Sequence, residues 1–223
     1  PKIAERTSPT NIGLYLLSVL TARDFGWISF EAAVGRIEQS LGTVERMEKY
    51  RGHLYNWYDT ANLAVLDAEG ALLSRHELAP ELARNSIRHL ALTGAGVAFA
   101  MQWQGEATEP VPLLGLAQGD GLTLCPAPEA EALAMQGYAG SIAASAGLIA
   151  VTSPRGGVAM IHDEGGAHRA TLRRADICGV APAADAPFTF TDGGGAIWSA
   201  DEAGLRLRAR HDLSWDNHLV RIG

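Results

Sequence analysis

The sequence predicts a mainly β protein, and three observations carry that expectation. Similar pentapeptides recur along the chain: Arg88-His89-Leu90-Ala91-Leu92, Gly140-Ser141-Ile142-Ala143-Ala144, Cys178-Gly179-Val180-Ala181-Pro182 and Asn217-His218-Leu219-Val220-Arg221, the last three spaced by 38 and 39 residues. Between them, short apolar runs alternate with glycine-rich breaks. Of the 25 glycines, twenty lie beyond residue 61. A period of about 40 residues with four short strands per unit is the pattern of a propeller blade. The fold expected is a partial β-propeller of about three and a half four-stranded antiparallel blades, preceded by an αα-hairpin.

The stretch Gly140–Gly157 shows the unit most clearly: an apolar run, a small turn at Ala146-Gly147, a second apolar run, then Pro154-Arg155-Gly156-Gly157. On this template one blade takes its strands from 90–92, 97–102, 113–116 and 122–124, with turns at Gly94-Ala95-Gly96 and Gly119-Asp120-Gly121. A second uses 142–144, 148–152, 158–162 and 170–172. The third uses 179–181, 188–191, 196–199 and 205–208. Segments 63–66 and 71–75 read as the outer two strands of an incomplete blade, and the strand from Asn217 as the first of the next. The interval from Arg88 to Gly140 is longer by about one loop. Because blades bury their faces against neighbours, an open arc needs a cover. Pairing of the Asn217 strand with 62–79 into a four-bladed ring, self-association of two chains, or capping by the helical hairpin would each supply one.

The totals narrow the function. At 47% hydrophobic and 19% charged, with a mean hydropathy of +0.02, the chain has material for a core and no disorder signature. A net charge of −7, with no basic face, argues against a nucleic-acid partner. The longest apolar run, 12–20, is broken by Tyr15 and Ser18, so no membrane span is expected. Pro1-Lys2-Ile3 leads into polar residues and reads as no signal peptide; the compartment stays open. Cys125 and Cys178, in different repeats, read as small buried hydrophobes.

The first sixty residues are different material. Both lysines and four of the five tyrosines lie there, and residues 1–61 are charge-balanced, so the whole acidic excess falls on the remainder. The expected units are 1–60, helical, and 61–223, blades. Thr7 or Ser8 caps a first helix with Pro9 in its first turn, and Ile12, Leu16, Leu17 and Leu20 form its stripe. Gly26 ends it. Ser29 caps a second helix, with Val34, Ile37, Leu41 and Val44 on its stripe and Gly52 as its stop. Downstream, Arg51–Thr60 interleaves Tyr55, Trp57 and Tyr58 with His53, Asn56 and Asp59, a composition suited either to gripping a sugar or to ordinary packing.

Glu5–Ser18, Ala22-Arg23-Asp24-Phe25-Gly26-Trp27 and Arg51–Thr60 resemble the glucoamylase-like region of cyclic β-1,2-glucan synthases. The resemblance implies that Arg23, Asp24, Trp27, Asn56, Trp57, Tyr58 and Asp59 come from a sugar-facing part of a helical toroid. The continuation after Thr60, with the carboxylates glycoside chemistry would use, is absent. The second part, through Glu81–Ala91, Ala98–Gly105, Gly137–Ile142, Ala150–Gly157 and Trp215-Asp216-Asn217-His218, resembles the C-terminal half of a bacterial family of unknown function, DUF1513. That resemblance implies a WD/YVTN-like propeller exported to the periplasm by a twin-arginine leader, and no assigned chemistry.

Arg88-His89, Ser153–Gly156 and Asp216-Asn217-His218 fall at or near equivalent blade positions, so a closed ring would bring them round one mouth. The candidate ligand site is therefore Arg88, His89, Arg155, Asp216, Asn217 and His218, for a small anionic or sugar ligand; tying blade edges together is the alternative role. No catalytic residue, cofactor motif or metal site is expected. His162–His168 lacks a recognised ligand spacing, Asp192-Gly193-Gly194-Gly195 is a turn, and no nucleophile elbow or acid–base carboxylate pair stands out. The function expected is a non-enzymatic binding module. A carbohydrate-active or β-glucan-binding protein is the alternative, its activity if any on glycosides, and a fusion of two gene fragments without a selected activity is the third reading.

Overall fold

The computed structural model describes residues 9–46, 49–50, 53–54, 62–66, 72–119 and 121–219. The chain forms two compact units, Pro1–Thr60 and Ala61–Gly223.

In the first unit, α1 (Pro9–Asp24) and α2 (Phe30–Arg46) pack as an αα-hairpin. The expected caps Thr7 and Ser8 lie outside the described residues. Gly26 ends α1 as predicted: with φ +73° it lets its own N–H reach Arg23 O and the Trp27 N–H reach Ala22 O, both at 2.9 Å. This is the paired closure that needs a left-handed residue. The Ser29 hydroxyl caps α2 by accepting the Ala32 N–H at 3.1 Å. Two expectations are corrected. The stripe of α1 does not include Leu17 and Leu20, which are exposed; the deeply buried residue is Val19. Leu14, Leu17 and Leu20 make the helix apolar nearly all round, so no single stripe could be picked out. Nor does α2 run to Gly52. It stops at Arg46, and a short antiparallel pair follows, β1 (Lys49–Tyr50) with β2 (His53–Leu54).

The second unit begins with a hairpin, β3 (Asn62–Leu66) and β4 (Leu72–Glu77), and a 3-10 turn at Pro80–Leu82. Three four-stranded antiparallel sheets follow, each a simple meander. The first is β5 (Asn85–Leu92), β6 (Val97–Trp103), β7 (Leu114–Gln118) and β8 (Gly121–Leu124). A short helix, α3 (Glu129–Ala134), leads to the second: β9 (Ser141–Ser145), β10 (Leu148–Ser153), β11 (Val158–Asp163) and β12 (His168–Arg173). The third is β13 (Ile177–Pro182), β14 (Phe188–Asp192), β15 (Ala196–Asp201) and β16 (Gly204–Arg210). Every strand expected from the repeat in these sheets is present, most of them one to three residues longer. The extra length between the first two units is largely α3, whose six residues are too few to show a helical period.

Strand alternation sends side chains to both faces of the second sheet. Val158 and Met160 of β11 enter a core shared with the first sheet, alongside Leu114, Cys125, Met135 and Val151. Ala159 and Ile161 enter a core shared with the third, filled by Phe188 and Phe190. Leu63 and Leu78 cover the other face of the first sheet, over Phe99 and Met101. The first strands are the ones that approach between sheets, β5 to β9 and β9 to β13. Alanines at 143, 144 and 150 let the second sheet's backbone come close. A hydrogen bond crosses on each side of the second sheet: Thr152 Oγ1 donates to Cys178 O of the third sheet at 2.6 Å, and the Ala139 N–H, just before β9, to Met101 O of the first at 3.2 Å.

The strand expected from Asn217 is not formed within the described residues. Residues 214–219 follow an irregular path beside the start of β13, where Cys178 Sγ lies 3.4 Å from Trp215 O. Correspondingly β3 and β4 remain a two-stranded sheet, and among the described residues no ladder closes a ring.

Candidate functional site

Three segments meet at the end of the sheets where β9 begins. The first is β5, whose ladder with β6 slips between Ile87 and His89 and so places Arg88 at a bulge. Bulges re-aim side chains. Arg88 Nε donates to Ser86 Oγ at 3.2 Å, and His89 follows in register with Ala100.

The second segment joins α3 to β9. Tyr138 forms an isolated bridge with Gln102 at the end of β6, and the Trp103 N–H donates to Gly137 O at 2.8 Å. The β10–β11 turn lies against it. Ser153 Oγ donates to Met135 O at 2.8 Å and accepts the Gly156 N–H at 3.2 Å. A Cβ on Gly156 would fall 1.8 Å from Ala134 O, so only glycine lets the turn seat on the end of α3. This seating places the exposed Arg155 guanidinium 4.6 Å from the centre of the Tyr138 ring, a cation–π contact.

The third segment is the chain beyond β16. Asn217 Nδ2 donates to the Tyr138 hydroxyl at 3.0 Å, and the His218 ring meets His89 edge-on at 5.4 Å. The Asp216 carboxylate accepts its neighbour's N–H, Asn217 N, at 2.6 Å. Gly140 sits at the centre, where a Cβ would come 3.0–3.1 Å from the Tyr138 ring, Asn217 Oδ1 and Pro154 Cδ.

Charge at this rim is positive and partly desolvated. Burial pushes the Arg88 guanidinium down to about 10; the Tyr138 hydroxyl opposes that shift and Arg155 adds to it. Burial, then His218 and Arg88, hold His89 at about 4. At neutral pH Arg88 is therefore charged and His89 is not. Among the described residues no carboxylate forms a salt bridge with Arg155. Arg155 also lines an open depression of about 550 Å³ behind the same turn, where the other two arginines, Arg173 and Arg174, already face Glu131 at 2.8 Å and Asp192 at 2.7 Å.

Five of the six ligand-site residues expected from the repeat thus gather at one rim, with Asp216 at its edge. The residue that joins them, Tyr138, lies just ahead of the repeat's aligned start. Its signal was that it is the one tyrosine beyond residue 61. The sugar-facing set is placed less fully. Arg23 and Asp24 pair with each other at 2.8 Å and Trp27 is 76% exposed, whereas Asn56, Trp57, Tyr58 and Asp59 lie outside the described residues. Among the described residues no three His, Cys, Asp or Glu side chains converge, and no helix is long and apolar enough to cross a membrane.

The model of the family described as "Protein of unknown function (DUF1513)" matches residues 42–222. The chain belongs to the DUF1513 family. In this DUF1513 protein the match takes in all three sheets and reaches back into α2. A 67-residue segment, 30% of the chain, is 61% identical to the cyclic beta-(1,2)-glucan synthase NdvB of Rhizobium meliloti (strain 1021). It spans 2% of the synthase's length.

Proposed function

We propose that this DUF1513 protein works by binding, as a partial propeller whose rim holds a small anion. The three meanders pack face against face with their first strands adjacent, which supports reading them as successive blades. One observation carries the ligand class: two guanidiniums and two imidazoles meet at a single rim, and one of the guanidiniums is exposed on a tyrosine face. Planar guanidiniums offer paired N–H donors to an oxyanion, and Asn217 and Tyr138 fix where those donors stand. Arg155 is the first contact, Arg88 the desolvated second charge, and His89 a neutral donor with the His218 ring edge-on beside it.

Calorimetric titration with sulfate, which stays dianionic across the pH range, tests this. One site per chain is expected, with affinity lowered about ten- to a hundredfold in Arg155→Gln, as for loss of a charge-assisted hydrogen bond. A folded wild type that takes up neither sulfate nor a carboxylate anion would overturn it.

The glucan synthase segment supports a second reading, in which the N-terminal unit holds a β-(1,2)-glucan against exposed aromatic rings such as Trp27 and Phe25, whose centroids lie 5.3 Å apart. Titrating tryptophan fluorescence with that glucan checks it. A saturable change is expected, and a flat response removes the reading.

A further inference from the structure

The core between the first and second sheets encloses a narrow cavity of about 10 Å³. That is about the room one water molecule or one bare ion needs. Most of its wall is aliphatic, but four lining side chains carry soft or nitrogen donors: Cys125 after β8, Met135 after α3, and Met160 and His162 of β11. They come from both sheets and from the helix between them. All four are deeply buried, at 3%, 1%, 3% and 1% exposure.

His162 is the anomaly. Both its ring nitrogens are buried and neither has a hydrogen-bond partner. A buried imidazole left unpartnered costs free energy, so such a group calls for an explanation. The His168 ring stands edge-on to it at 5.5 Å and is itself engaged with Thr171 Oγ1 at 2.9 Å. Alternation along β11 puts His162 on the same face as Met160, and both line the cavity.

We propose that this cavity is a binding site for one soft monovalent metal ion of the Cu(I) class, held by the Cys125 thiolate, the His162 imidazole and the thioethers of Met135 and Met160. The two thioethers bind a soft ion and serve Zn(II) poorly, leaving it only one thiolate and one imidazole, and the wall offers no carboxylate for Ca(II) or Mg(II). Charge decides between oxidation states. A monovalent ion with one thiolate is neutral overall, whereas a divalent ion would leave an uncompensated charge in an apolar core. The remaining groups suit the role. Both His162 ring nitrogens are buried and engaged by no other group, so one can turn its lone pair to the ion.

Without a metal Cys125 is a buried free thiol. Metal uptake therefore forms the sulfur–metal bond as the S–H bond breaks, with the proton released to solvent and no change in oxidation state. Gly166 closes the wall: a Cβ there would stand 2.6 Å from Cys125 Sγ. Val111, Pro112 and Ala132 are partly exposed and give a short way in.

The test is anaerobic titration of the full chain with Cu(I) against a competing chromophoric Cu(I) chelator, followed by X-ray absorption of the product. One Cu(I) per chain is expected, with sulfur and nitrogen in its first shell. Cys125→Ser should abolish uptake, Cys178→Ser should leave it intact, and the near-isosteric Met160→Leu should weaken it about tenfold while keeping the circular dichroism of the wild type. Failure of the wild type to compete for one Cu(I) overturns the proposal. So does uptake unchanged in folded Met160→Leu together with a shell free of nitrogen, or a water molecule seen on His162 after loading.

Discussion

The turns after the second strand of the second and third sheets occupy the same place in the repeat and have opposite characters. In the third sheet the turn Gly193–Gly195 is organised by a buried carboxylate. Asp192 accepts N–H groups from Gly194 at 2.9 Å and Ala196 at 3.1 Å, the Trp198 indole at 3.0 Å and Arg174 at 2.7 Å. Burial acts to raise this carboxyl, but its donors, Ala196, Arg174 and Trp198, outweigh that and hold it below the usual range. In the second sheet Ser153 takes the organising place, and the arginine of the turn, Arg155, stacks on Tyr138 with no carboxylate recorded against it. Both arginines lie on an aromatic ring, Arg174 at 4.8 Å from Trp198 and Arg155 at 4.6 Å from Tyr138. One guanidinium is held in an ion pair with a buried carboxylate; the other is exposed on a ring, which is what the proposed anion site uses.

The largest effect that would sharpen this contrast is at Asp192. Asp192→Ala strands a guanidinium, an indole and two amides at once, and should cost about 3–5 kcal/mol in thermal or urea unfolding. A loss under about 1 kcal/mol would mean that the carboxylate is not the organiser. Next comes Gly156→Ala, which drives a methyl group into Ala134 O and should cost about 2 kcal/mol while displacing the turn that carries Arg155. Its sulfate affinity should fall with its stability.

Arg155→Gln, on the exposed turn, should shift unfolding by no more than about 0.5 kcal/mol while losing the anion. A large destabilisation there would make the two turns alike and break the contrast. The smallest effect is the pH dependence. An anion favours the charged imidazole, so it raises the pKa of His89 from about 4, and binding takes up protons. Sulfate affinity should therefore rise modestly as pH falls from 7 to 5, and the rise should vanish in His89→Gln. The same shift carries a stability statement. The free protein's His89 sits below its ordinary 6.5, so the unfolded chain binds more protons between 6.5 and about 4, and His89 makes the fold less stable as pH falls through that window.

Much of this was legible because the repeat is carried by backbone chemistry. Glycine turns and apolar runs at a period near 39 residues marked the strands of each sheet; aligning the starts placed Arg88, His89, Asn217 and His218 at one end, and the turn after the second strand brought Arg155 near them. What escaped lies outside the period. Tyr138 precedes its unit, α3 is shorter than two turns, and the last segment forms no strand within its described residues, 214–219, although its sequence matches strand starts elsewhere. The α1 face was misread because leucines surround the helix. The cavity was hidden for a different reason: Cys125, Met135, Met160 and His162 have no ligand spacing in sequence and meet only when two sheets close on each other.

The account turns on the rim being a single anion site built from separate segments. Nuclear magnetic resonance of the imidazole rings and the Arg155 guanidinium during a sulfate titration tests it most directly. Signals of His89, His218 and Arg155 are predicted to shift together along one saturation curve, and to lose that common curve in Arg155→Gln. Independent curves, or shifts confined to Arg173 and Arg174 in the neighbouring depression, would contradict it.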